Sequence, residues 1–155
     1  MIDKFNSVAL SNISNAESKL RTYALFKIER GRESYLNEIK NIKTRTQLTK
    51  LRISDHNLMI EKGRHMGVHK NLRFCPFCTD KVEDEVHFLI NCPIYNNLRK
   101  PVLDSLGTEN ISRGDTSDSD VFISLMTNSL EEVATFTKNA FELREFLVNR
   151  PKNLD

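Results

Sequence analysis

No stretch of this sequence is long and apolar enough to cross a membrane, since nothing approaches the ~18 consecutive apolar residues that a span requires. The opening residues, MIDKFNSVALSNISN, also lack the basic, then apolar, then small-residue order of a secretory signal. Alternating strand patterns are nearly absent, internal repeats are absent, and cysteine is missing everywhere except between residues 75 and 92. Three cysteines cannot all pair within one molecule, which argues against a secreted disulfide scaffold. The expectation is an intracellular protein of the nucleus or cytoplasm, under reducing conditions, with no membrane partner. Without strand patterning, the expected class is mainly α.

What is present describes an ordinary globular chain. Its 155 residues are 39% hydrophobic and 28% charged, enough to bury about two-thirds of the unfolded surface without any staple. The net charge of +2 hides an asymmetry. Residues 19–73 hold fourteen Lys/Arg against five Asp/Glu, an excess of +9, whereas residues 101–155 hold five against ten, a deficit of −5. A basic front of this kind fits an anionic partner, with nucleic acid the leading candidate, or else a set of solvated helix faces.

The front reads as two or three amphipathic helices. Leu20, Tyr23, Ala24 and Ile28 recur at helical spacing, as do Leu36, Ile39 and Ile42, and then Leu48, Leu51 and Leu58. Gly31 and Gly63 are candidate helix ends. Asp80 with Glu83 forms a candidate capping box for a helix over KVEDEVHFLIN, and Pro93 opens a further helix, PIYNNLRKPVLDSL. The polar run GTENISRGDTSDSD predicts a flexible linker, followed by helices over DVFISLMTNS and LEEVATFTKNAFELREFLVNR. In the last of these, Leu130, Val133, Ala134, Thr137, Ala140, Phe141 and Leu147 share a face. The organisation expected is a basic helical region (1–72), a zinc knuckle with its following helix (73–106), a linker (107–120) and acidic C-terminal helices (121–155).

The chemistry concentrates in RFCPFCTDKVEDEVHFLINC. Cys75, Cys78, His87 and Cys92 spell C-x2-C-x8-H-x4-C, a Cys3His set suited to one tetrahedral Zn2+. With four protein ligands such a zinc is structural, and its binding energy would decide whether so short a segment folds. The rivals are a thioredoxin-like redox pair at CPFC, which would want a preceding strand, and buried inert thiols. His65 and His69 flank Gly67 and read as exposed loop histidines, while His56 reads as a core or hydrogen-bonded one. Among the aromatics, Phe88 and Tyr95 read as the small core of the knuckle and Phe77 as the ring free to stack on a base.

The fragments SKLRTYALFK, YLNEI, LRISDHNLMIEKGRH, RFCPFC and VEDEVHFLINCPIYNNLR together resemble the region after the polymerase domain in reverse transcriptases of non-LTR (LINE-like) retrotransposons of animals, which ends in a Cys-Cys-His-Cys zinc knuckle. The resemblance covers residues 18 to 100. It implies Cys75, Cys78, His87 and Cys92 as zinc ligands, and a role in gripping template RNA or target DNA. The Tyr-x-Asp-Asp polymerase turn is absent, and no paired carboxylates on rigid elements offer two-metal or nuclease chemistry. A non-catalytic fragment or stand-alone descendant is therefore expected. In it Lys40, Lys43, Arg45, Lys50, Arg52, Arg64, Lys70 and Arg73 would contact phosphates and Phe77 a base. The other expectation is a zinc-stabilised scaffold whose acidic C-terminal helices bind a protein partner or cover the basic front, with the acidic DKVEDE run repelling phosphate.

Overall fold

The computed structural model describes residues 20–27, 31–106 and 116–150, and within them the chain is mainly helical, as the sequence predicts. The elements are α1 (Arg21–Ala24), α2 (Tyr35–Glu38), α3 (Ile42–Arg52), α4 (Met59–His65), a 3-10 turn at Lys70–Leu72, a π-helical turn at His87–Asn91, a 3-10 turn at Pro93–Tyr95, α5 (Asn96–Asp104), α6 (Asp118–Asn128) and α7 (Leu130–Asn149). The β pairing among the described residues is one isolated antiparallel bridge, Phe74 to Val82.

The front is more broken than its periodicity implies. α1 stops at Ala24, and the Ile28 end of the expected stripe lies outside the described residues. α3 starts where the Asn41 side chain accepts from the Thr44 N–H at 3.0 Å and turns Leu48 and Leu51 inward. Leu58 is not part of that helix but the extended residue before α4. Gly63 does not end a helix either. It lies inside α4, where a Cβ would sit 2.7 Å from Arg73 Cγ, because the Arg73 side chain crosses it to reach the Ile60 and Val68 carbonyls. The left-handed residue after α4 is Gly67, with φ +68°.

The rear follows the pattern closely. Of the expected linker, residues 107–115 lie outside the described residues, 116 and 117 are coil, and 118–120 are already helix. Ser117 and Asp120 form a capping box, so Asp118 and Asp120 are first-turn residues of α6, favourable to its dipole. α7 runs 20 residues and buries Val133, Ala134, Phe136, Thr137, Ala140 and Arg144. It packs along α3, α5 and α6, so the acidic rear and the basic front share one hydrophobic core.

Candidate metal centre

The cysteine segment is built by a turn and a distorted helix end. Phe74 pairs with Val82, the Cys75 N–H donates to the Lys81 carbonyl at 2.8 Å, and the Thr79 N–H returns to the Cys75 carbonyl at 2.9 Å. Thr79 closes this turn at φ +61°, an unusual backbone for a β-branched residue. The expected Asp80 cap does not form. The Asp80 N–H donates to the Cys78 carbonyl, and the helical segment is capped instead by Asp84, whose Oδ1 accepts from the His87 N–H at 2.7 Å.

From His87 the backbone widens into a π-turn, closed by the Cys92 N–H on the His87 carbonyl at 2.7 Å. Five residues along an ordinary α-helix would leave these two positions about 140° apart around the axis. The wider turn brings them toward one side, which lets both reach the CPFC turn. Arg99, buried on α5, holds this end in place. Its Nε donates to the Leu89 carbonyl at 2.7 Å and its Nη2 to the Cys92 carbonyl at 2.6 Å.

The result is a compact donor set. One ligand atom each from Cys75, Cys78, His87 and Cys92 lie within 4.8 Å of one another. Cys92 Sγ is 3.9 Å from Cys75 Sγ and 3.7 Å from Cys78 Sγ. Metal–thiolate bonds of ~2.3 Å in a tetrahedron set sulfurs about 3.8 Å apart, whereas a disulfide requires about 2.05 Å. His87 is 7% exposed and its Nε2 has no hydrogen-bond partner, as befits a group whose lone pair serves a metal. Together these residues can hold one metal ion. Three thiols this close cannot all ionise unless a cation is shared among them. Cys75 is pulled down to about 3 by hydrogen bonds from Cys92, His87 and the Phe77 and Cys78 backbone, despite its burial. Cys92 is pushed up by its hydrogen bond with Cys75 and by burial, and Cys78 is pushed up by burial.

The knuckle is not the autonomous unit its length implies. Phe88 stacks on Phe141 of α7 at 4.8 Å and meets Phe136 of α7 at 5.4 Å, while Cys75, Cys92 and Tyr95 belong to the main core. Glu83 of the acidic run is 1% exposed and takes both Arg144 Nε and Nη2 at 2.9 and 2.8 Å. Glu85, 3% exposed, accepts from Arg21, Ser54 and His56 at 2.8, 2.9 and 2.9 Å. Burial alone would raise the Glu85 carboxyl, but the His56 hydrogen bond and the charges of His56 and Arg21 hold it at about 2. These two acids are therefore internal counter-charges and cannot repel a phosphate from the surface.

No family model matches this sequence, and comparison with curated proteins and with solved structures found no match.

The basic residues divide by type. Arg52 is 3% exposed, bonded to the Met126 carbonyl and Glu33 and lying 4.1 Å over the Phe26 ring, so it is withdrawn from the phosphate-contacting set. Arg45 donates to the Leu36 and Ile39 carbonyls, Arg73 to those of Ile60 and Val68, and Arg64 is paired with Glu61. Lys43, Lys50 and Lys70 are exposed with no ion pair among the described residues, and Lys40 is exposed with its Nζ on the Asn37 carbonyl. Phe77 is half-buried, edge-on to Tyr95 at 6.4 Å, while Phe74 is 40% exposed. His65 and His69 are exposed, and the His56 side chain is buried against Glu85. Sequence reasoning missed Arg99 and Arg144, whose only signal was an arginine recurring among the buried positions of an otherwise apolar helix face.

Proposed function

We propose that this chain is a zinc-stabilised, non-catalytic nucleic-acid-binding module, working inside the cell in the nucleus or cytoplasm and related to the region after the polymerase domain of non-LTR retrotransposon reverse transcriptases. The observation that carries the reading is a closed Cys3His donor set in a chain whose exposed cations, among the described residues, are mostly lysines. Three thiolates and an imidazole in a tetrahedron suit Zn2+, and four protein donors leave no position open for water, so the metal's part is structural.

Lys43, Lys50 and Lys70 are the phosphate contacts that survive from the basic front, joined by the exposed Lys62 of α4. As flexible point charges they grip a polyanion without reading its sequence. Phe74 replaces Phe77 as the ring that stacks on an unpaired base. Fluorescence anisotropy with single-stranded RNA at increasing salt tests this. Four neutralised phosphates give a slope of about −3 in log affinity against log salt, and absent or salt-indifferent binding removes the reading. Elemental analysis should find one zinc per chain, lost in Cys92→Ser.

A zinc-stabilised protein-interaction scaffold is the second reading. It is favoured by Phe146 and Val148, 65% and 44% exposed near the end of α7. Native mass spectrometry separates the two, since capture of a protein partner with RNA ignored supports the scaffold.

A further inference from the structure

A groove of about 770 Å³ lies between the end of α3, α4 and the last turns of α7, within the size range of small-molecule sites. Two lysines face it from different helices, Lys50 of α3 and Lys62 of α4, with His65 three residues beyond Lys62. Among the described residues, no side-chain ion pair or hydrogen bond occupies any of the three. Arg144 also lines the groove but is spent on Glu83.

The remaining lining differs from that of a plain anion hole. Gln47, Asn57 and Asn149 offer carboxamides, and the carboxylates of Glu145 and of Asp55, which is already engaged elsewhere, also line it. The Glu145 carboxylate would weaken a bare phosphate, yet it is an acceptor for sugar hydroxyls or an exocyclic amine. Met66 and Val148, 64% and 44% exposed, give the groove an apolar flank on which a flat ring can lie.

His56 supplies a separate indication. It lines the groove, its side chain is 1% exposed, and its Nε2 is fixed on Glu85 Oε1 at 2.9 Å. Its other ring nitrogen, Nδ1, is buried with no partner. A buried polar atom of this kind is rarely left without a hydrogen-bond partner.

We propose that this groove seats one phosphorylated nucleoside: its phosphate between Lys50 and Lys62, its base along Met66 and Val148, and its polar edges on His56 and the carboxamides. The nucleotide is either free or a single unit of a strand, and in the second case the inference rests on the nucleic-acid reading above. The metal-loaded full chain is titrated separately with AMP, a short oligoadenylate and inorganic phosphate, followed by amide and side-chain NMR shifts. AMP should saturate and shift signals of Lys50, Asn57, Lys62, His65 and Asn149, with phosphate binding more weakly at the same lysines. Lys50→Ala and Lys62→Ala, both at exposed positions, should each weaken AMP about tenfold while zinc content stays unchanged. AMP shifts elsewhere, no saturable shift, phosphate as tight as AMP, or lysine variants that bind AMP normally would each overturn the proposal. If AMP binds in the groove and the oligonucleotide does not bind at all, the pocket stands with free nucleotide as its ligand and the nucleic-acid reading fails. If the oligonucleotide binds elsewhere and AMP does not bind, the reverse holds.

Discussion

Removing the Arg99 side chain would leave the Leu89 and Cys92 carbonyls buried without their donor. Arg99→Ala should therefore cost about 3 kcal/mol in thermal unfolding and weaken metal retention against a chelator at least about tenfold, as loss of a supporting partner to a ligand does. Arg99→Lys should recover little, because a single ammonium nitrogen cannot stand at both the Nε and Nη2 positions from which the two carbonyls are met. Glu33 gives a pH signature. Burial alone would raise its carboxyl, but hydrogen bonds from Lys27 and Tyr23 and the charges of Arg52 and Lys27 hold it below the ordinary range. A depressed acid contributes stability that is complete above its unfolded value of about 4.5 and is lost as pH falls below it. The melting temperature of Glu33→Gln should consequently fall less than that of the unmodified chain between about pH 5 and pH 3. An identical fall in both would show that Glu33 does not carry this dependence.

At the scale of elements, the bidentate Arg144–Glu83 pair ties the metal turn to α7 and also leaves Glu83 accepting the Met59 N–H at 2.7 Å. Glu83→Gln or Arg144→Gln alone should destabilise by about 3–5 kcal/mol, since each strands a buried charge. A double-mutant cycle should return a coupling of at least about 1 kcal/mol, and a coupling near zero would mean the two elements are held by packing alone. This joint also explains what the sequence disclosed and what it withheld. Local rules wrote the CxxC turn, the last two helices and the apolar stripe of α7, because spacing and caps act within a few residues. The π-turn at His87–Asn91 was not legible, since the shared centre of four donors, not local propensity, selects the wider turn. Glu83, Glu85 and Arg52 read as surface charges because each partner lies 19 or more residues away in sequence, as with Arg144–Glu83 at 61.

Across the whole molecule, the cysteines sit in the same core as Leu48, Phe122 and Val133, so metal and bundle should unfold as one. Chelation should lower helical and aromatic circular dichroism together, in a single transition. Unchanged melting after complete metal removal would show that the Cys3His set has no structural part. The segregation of cations by residue type carries a practical corollary. Most guanidiniums described are internal braces, while the outward positive charge resides largely on primary amines. Mild acetylation of those amines should thus cancel most of the outward positive charge and leave the architecture standing.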